Sequence, residues 1–194
     1  MIAGVILAGG AGSRIGGDKA LMPFRSGTLI DAVIARVQSQ VDALALGIPT
    51  ASADAYQARF GARYPLLRDT LGAGPLAGIV AGLEWAQGDW LASFPCDTPF
   101  LPKDLVAQLM RDAVDTPVAA RSGGRLHGVC AVWPVRCLAQ LREGVETGQL
   151  RSLKSALDRL GGRAVDITND DDAFFNVNTQ ADLAEAEAIA RDRA

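Results

Sequence analysis

The chain has 194 residues, a formal net charge of −3 and hydrophobic side chains at 49% of its positions. This is the composition of an ordinary globular protein of one domain, and the acidic balance argues against a broad surface for nucleic acid or membranes. One histidine cannot build a histidine-based zinc site, and three cysteines without Cys-x-x-Cys spacing indicate reduced thiols. We therefore expect a cytoplasmic protein whose chemistry depends on carboxylates, a few cations and backbone amides, with or without a metal ion.

Strand and helix patterns alternate through the first half of the chain. Apolar runs that end near Gly or Pro predict strands at residues 2–8, 43–48, 66–67 and 90–94. Helical spacing and helix-start residues predict helices that begin at Thr28 with apolar periodicity to Leu44, at Asp54 to Phe60, at Pro75 to Gly88, and at Pro102 toward Val114. Strands that alternate with helices in this way indicate a parallel sheet with crossover helices.

The pattern changes after Pro117. Residues 118–120 and 129–133 are predicted to form an antiparallel pair around a loop from Arg121 to Gly128. Helices from about 135 and from 150 to 160 precede a strand at 164–167, and a capping-box-like start at Thr179 opens a last helix. We expect a single α/β domain spanning 1–194, in three α/β/α layers, with a mostly parallel Rossmann-like sheet and an antiparallel element in the C-terminal half.

A glycine-rich segment with two cations follows the first predicted strand. Residues 9–17 contain five glycines, and Arg14 and Lys19 lie in or beside this segment. Glycines let successive backbone amides converge on an anion, and the two cations supply the charge that phosphates attract. The segment lacks the Gly-Lys-Ser/Thr of a P-loop and the third glycine of a dinucleotide fingerprint. Phosphate binding is the favoured interpretation, and a flexible surface loop is the alternative.

These residues resemble the signature of small nucleotidyltransferases, and within them the molybdenum cofactor guanylyltransferase (MobA) family. The resemblance rests on Leu7-Ala8-Gly9-Gly10, on Ser13-Arg14-Ile15-Gly16 and on Asp18-Lys19-Ala20-Leu21. Relatives that transfer CMP usually have alanine where this chain has Gly9, so Gly9 favours a guanine nucleotide. The resemblance implies that Arg14 and Lys19 serve the phosphates catalytically and that the nucleotide is bound by Leu7, Ala8, Gly9, Gly10, Gly12 and Ser13.

Three later clusters support the same resemblance. Asp69 precedes Gly74-Pro75-Leu76-Ala77-Gly78, where the family has an aspartate facing the nucleotide, although a turn carboxylate is the alternative. Asp97, between Pro95 and Pro99 after the strongest strand, is the candidate Mg²⁺ ligand, with a structural turn as the alternative. Residues 174–179 resemble a late Phe-x-Asn-x-Asn-Thr motif of the family. Asn176 and Asn178 alternate with apolar residues, so we expect them to point the same way toward a phosphate or the waters of Mg²⁺, with a structural role, such as helix capping by Asn178, as the alternative.

The second substrate is expected to bind in the C-terminal half. Arg125 and His127 lie where family members bind it, and they are candidate contacts for a phosphate or pterin. The family commonly has His-Pro at this point, whereas this chain has His127-Gly128. Relatives often supply an asparagine to the nucleotide between positions 46 and 50, and this chain has none there.

The resemblance implies transfer of GMP from GTP to the terminal phosphate of Mo-molybdopterin, with Mg²⁺ as cofactor and pyrophosphate as the second product. The nucleophilic phosphate oxygen is already ionised near neutral pH, which suits a chain with one histidine. We expect a monomer that meets molybdenum insertion proteins and recipient molybdoenzymes or their chaperones. The alternatives are a CTP-dependent transferase acting on molybdopterin or on a sugar or polyol phosphate, and a non-catalytic nucleotide or cofactor carrier.

Overall fold

The structure is a computed structural model that describes residues 1–8, 18–68, 71–72, 74–167 and 172–193. Within these residues the strands are β1 (Ile2–Leu7), β2 (Pro23–Phe24), β3 (Gly27–Thr28), β4 (Ala43–Ile48), β5 (Leu66–Arg68), β6 (Trp90–Pro95), β7 (Val118–Ser122), β8 (Arg125–Pro134) and β9 (Arg163–Asp166). The helices are α1 (Leu29–Val37), α2 (Ala53–Phe60), α3 (Pro75–Trp85), α4 (Leu105–Met110), α5 (Leu138–Glu146), α6 (Leu153–Arg159) and α7 (Gln180–Asp192).

Seven of the described strands form one sheet in the order β5-β4-β1-β6-β8-β7-β9. Strands β5, β4, β1 and β6 run parallel, and β7 and β9 are also parallel to each other. Strand β8 is antiparallel to both of its neighbours, β6 and β7. The expected mostly parallel sheet with an antiparallel element in the C-terminal half is therefore confirmed.

Alternate residues of β1 enter two different hydrophobic cores, which makes the three layers. Ile6 packs with helices α1, α2 and α4 on one face of the sheet, whereas Val5 and Leu7 pack with α3, α5 and α6 on the other. This alternation follows from the two-residue period of a strand, and burial on both faces explains why the run is continuously apolar. A third cluster joins α7 to the β2–β3 hairpin through Phe24, Val177 and Ala186.

Several predicted boundaries are wrong. Most of the expected loop from Arg121 to Gly128 is strand, because Gly123 and Gly124 alone make the turn, with φ values of +55° and +76°. Helix α1 ends at Val37, and Leu44 belongs to β4. Helix α3 ends at Trp85, short of Gly88.

The ends of two further helices also differ from expectation. Pro102 precedes α4, which begins at Leu105 and ends at Met110. Asp54 lies inside the first turn of α2 and is not the N-cap of that helix; its carboxylate interacts favourably with the helix dipole.

The described part of the chain contains no helix with the length and apolarity needed to cross a membrane. The three cysteines are free thiols with buried side chains.

Candidate active site

The candidate site lies where the order of the parallel strands reverses. Within the seven-stranded sheet, the next strands in the chain after β1 are β4 and β5, and both lie on one side of β1. Strand β6, which follows them in the chain, lies on the other side of β1. Leu7, the last residue of β1, is in register with Pro95, the last residue of β6. Ligands of open α/β sheets bind at such a crevice, beyond the carboxyl ends of the strands. Lys19 follows β1 and Asp97 follows β6, so the topology brings both to this crevice.

The Lys19 ammonium is surrounded by three oxygen atoms from two other segments. It donates to Asp97 Oδ2 at 2.5 Å, to Asn178 Oδ1 at 2.7 Å and to Asn176 Oδ1 at 3.4 Å. The Lys19 and Asp97 side chains are only 15% and 17% exposed, so water screens their attraction weakly. Four predicted site residues thus meet at one point, and Asn176 and Asn178 point the same way as their alternation predicts.

Main-chain and side-chain bonds hold the oxygen ligands in place. The amide of Val177, between the two asparagines, donates to the Asp97 carbonyl at 2.9 Å. The Thr98 hydroxyl donates to Asp97 Oδ1 at 3.2 Å. At the start of α7, Asp182 accepts from the amides of Asn178 at 2.7 Å and Thr179 at 2.8 Å. The hydrogen bond from the Asn178 amide, and after it the one from Thr179, lower the pKa of Asp182, so its carboxylate is ionised near neutral pH.

The predicted second-substrate residues lie on β8. The His127 ring stacks on Phe174 with centroids 4.3 Å apart and an interplanar angle of 21°. Burial, and then the Arg125 guanidinium, lower the pKa of His127, so the imidazole is neutral at neutral pH. Arg125 is exposed beside the hairpin turn. A Cβ at Gly128 would come within 3.0 Å of Leu153 Cβ, which explains why glycine suits this position.

The first strand ends with two buried side chains. Leu7 and Ala8 are 7% and 6% exposed, and the Ala8 amide donates to the Gly47 carbonyl at 2.7 Å. A nucleotide at this point would therefore meet main-chain atoms of these residues. The predictions for Gly9, Gly10, Gly12, Ser13, Arg14 and Asp69 fall outside the described residues.

The oxygen atoms around Lys19 are chemically suited to Mg²⁺. Asp97 supplies a carboxylate, Asn176 and Asn178 supply amide oxygens, and all three already face a cation, the Lys19 ammonium. In the described residues no group of three or more His, Cys, Asp or Glu side chains could form a complete metal cage. One carboxylate with neutral oxygens fits an ion that retains waters and shares phosphate oxygens with its substrate.

Comparison with known proteins gives the family. Residues 4–162 match the MobA-like NTP transferase domain. The chain belongs to the MobA-like NTP transferase family. Its curated relatives include a molybdenum cofactor guanylyltransferase of Acidiphilium cryptum, 44% identical over 95% of this chain and 93% of the relative. Another, from Cereibacter sphaeroides, is 40% identical over 97% of this chain and 96% of the relative.

A solved structure has the same fold as the described part of this chain. It is molybdopterin-guanine dinucleotide biosynthesis protein A from Archaeoglobus fulgidus, with a TM-score of 0.82 and 21% identity. The match covers 98% of this chain and 99% of that one, and at this identity it supports the fold alone. The family membership and the curated relatives make this chain a nucleotidyltransferase.

Residues beyond the predicted set also contribute to the site. Asp18 accepts a hydrogen bond from the Tyr56 hydroxyl at 3.0 Å, and Phe174 covers His127. A signal for Asp18 was present, since it directly precedes Lys19 in the family signature. The signal for Tyr56 was weaker. Tyr56 lies four residues before Phe60, so both would face the core from one side of a helix, and a buried tyrosine hydroxyl requires a polar partner.

Proposed function

We propose that this MobA-like chain transfers GMP from GTP to the terminal phosphate of Mo-molybdopterin, giving molybdopterin guanine dinucleotide and pyrophosphate. The observation that carries the proposal is the convergence of Lys19, Asp97, Asn176 and Asn178 at the carboxyl edge of β1 and β6. Family membership and the molybdenum cofactor guanylyltransferases among the curated relatives support the choice of substrates.

The nucleotide is assigned to the N-terminal half. The triphosphate is assigned to Lys19, Arg14 and the backbone of the residues from Leu7 to Ser13, and the nucleoside is assigned to Asp69. A lysine that already contacts a carboxylate and two amide oxygens is held toward the crevice before substrate arrives. Its charge then stabilises the negative charge that develops on the leaving pyrophosphate.

Asp97 is assigned as the protein ligand of Mg²⁺. When bound there, Mg²⁺ supplies Lewis-acid neutralisation of phosphate charge. Asp97 holds its carboxylate toward the crevice through the bond from Thr98 and through the carbonyl that anchors Val177. Asn176 and Asn178 add neutral amide groups, whose oxygens can accept from waters and whose NH2 groups can donate to phosphate, without adding negative charge.

The second substrate is assigned to the C-terminal half, near Arg125 and His127. Arg125 is exposed and carries a fixed positive charge for a phosphate group, while His127 offers a neutral ring packed on Phe174. The nucleophile is a substrate phosphate oxygen, so the reaction requires positioning and no protein base. Molybdenum insertion proteins and recipient molybdoenzymes or their chaperones are the partners that this product implies for a monomeric enzyme.

Pyrophosphate release tests the proposal when it is measured with GTP, CTP and ATP, each with molybdopterin, with a sugar or polyol phosphate, and without a second substrate. We expect release only with GTP and molybdopterin together. Release with CTP would assign the chain to the cytidylyl alternative, and release with a sugar or polyol phosphate would replace the second substrate. Nucleotide binding without any release would support the carrier alternative and overturn the transferase assignment.

A further inference from the structure

Among the described residues, the carboxylate of Asp18 is hydrogen-bonded through one of its two oxygens. Its Oδ1 accepts from the Ala20 amide at 3.2 Å and from the Tyr56 hydroxyl at 3.0 Å. Its Oδ2 is buried and has no hydrogen-bond partner within the part of the chain that the structure describes. A buried carboxylate is costly unless it is hydrogen-bonded. The Tyr56 hydroxyl is therefore one of the two described donors that hold Asp18 in this position.

Asp18 in turn fixes the start of the turn that carries Lys19. It is the N-cap of the single 3₁₀ turn Lys19–Leu21, and its side chain accepts from the second amide of that turn. A turn of three residues has little stability of its own. If Asp18 turned away, the main chain at Lys19 would lose its anchor while the long side chain kept its rotamer freedom.

Tyr56 meets this turn from a distant element. It lies on α2, its side chain is 0% exposed, and its ring packs on Phe60 with centroids 6.0 Å apart. Burial, and then the Asp18 charge, raise the pKa of Tyr56, so the hydroxyl remains a donor. Phenylalanine would satisfy the same packing without a buried hydroxyl. Packing of the core therefore does not require the Tyr56 hydroxyl, whereas its hydrogen bond to Asp18 does.

We propose that Tyr56 is a positioning residue for Lys19, acting through Asp18. Its hydroxyl holds the Asp18 carboxylate, the carboxylate holds the 3₁₀ turn, and the turn directs the ammonium to Asp97, Asn176 and Asn178. The consequence for nucleotide binding rests on the proposed function, whereas the structural coupling between Tyr56 and Lys19 does not.

The first test is a cycle of Tyr56→Phe, Lys19→Met and the double variant, with GTP affinity measured by calorimetry in the presence of Mg²⁺. We expect Tyr56→Phe alone to weaken binding about tenfold, the scale of one hydrogen bond to a charged group. In the Lys19→Met background it should cause no further loss. Tyr64→Phe is the matched control, because that hydroxyl donates to Gln38 on the exposed surface at 3.2 Å. A full tenfold loss in the absence of Lys19 would overturn the proposal.

The second test uses the protein without nucleotide. Urea unfolding of the wild type, the two single variants and the double variant measures whether the losses of unfolding free energy from Tyr56→Phe and Lys19→Met are additive. We expect the double variant to lose less than the sum, because a misplaced Lys19 already lacks part of its contacts. Strict additivity would overturn the proposal even if GTP binds, whereas coupling without GTP binding would preserve it and refute the proposed function. Lys19→Gln replaces Lys19→Met should the latter not fold.

Discussion

The Lys19 ammonium and the Asp97 carboxylate, 2.5 Å apart, join the loops that follow β1 and β6. Lys19 begins a short 3₁₀ turn and Asp97 lies in a turn, and the ion pair and the two asparagine oxygens help to fix the position of one loop relative to the other. The same two groups are the ones proposed to bind a triphosphate and its metal ion. The site is thus charge-balanced before substrate arrives, and each partner can be removed separately.

Lys19→Met is expected to weaken GTP binding by about 10–100-fold, because it removes a charge-assisted contact while keeping most of the side-chain volume. Calorimetry measures this loss directly. Lys154→Met is the matched control, since Lys154 forms an exposed pair with Asp158 on α6 at 2.7 Å. An affinity for the Lys19 variant within twofold of the wild type would refute the phosphate role.

Asp97→Asn is expected to reduce GMP transfer by about a hundredfold or more while the protein stays folded. The substitution removes the negative charge that is proposed to bind Mg²⁺ but keeps the shape of the side chain. Turnover at saturating GTP and a thermal unfolding curve measure the two effects. Asp89→Asn serves as the control, since Asp89 precedes the same strand, β6, and its side chain is 87% exposed. Full activity of the Asp97 variant would remove the metal assignment.

The order of strands and helices could be predicted where the sequence pattern is local. Continuous apolar runs such as Ile2–Leu7 and Ala43–Ile48 mark strands buried on both faces, and the prolines and glycines after them mark the site-bearing edge. The prediction was wrong for Arg121–Gly128, since a strand with His127, Gly128 and Arg125 shows no clean alternation. Gly123-Gly124 carried the hairpin signal, because adjacent glycines favour two-residue turns with positive φ.

The site could be predicted in part for a similar reason. Lys19, Asp97, Asn176 and Asn178 lie in short motifs, and parallel strands bring their carboxyl ends together. The link from Tyr56 to Asp18 joins α2 to the loop after β1, and no local pattern encodes which helix residue faces that loop. The stack of His127 on Phe174 also depends on the register of β8, which the sequence left undetermined.

The stability of the protein should fall as pH decreases through the range in which His127 titrates. Its pKa is lowered from 6.5 by burial and by Arg125, so below about pH 6.5 the unfolded chain binds a proton that the folded protein does not. The free energy of unfolding therefore decreases as the pH is lowered, until the imidazole of the folded protein is also protonated. His127→Gln removes this titration. Thermal unfolding from about pH 7.5 to pH 5 should show the wild type losing stability relative to the variant, and parallel curves would contradict the assignment.

Gly82→Ala should destabilise the protein although alanine favours helices. An alanine Cβ at position 82 would lie 2.9 Å from Leu91 Cδ2 and 3.0 Å from Val5 Cγ1, and both of those side chains are fully buried in the sheet. The helix propensity gain of about 1 kcal/mol is opposed by an overpacking cost of about 1–3 kcal/mol. Urea unfolding should therefore show a net loss of up to about 2 kcal/mol. Gly78→Ala is the comparison and should lose less stability, because its Cβ would meet one terminal methyl group, Leu7 Cδ2 at 2.8 Å, and its next contacts lie at 3.7 Å. Equal or greater stability of Gly82→Ala would mean that α3 can move away from β1 and β6 at little cost.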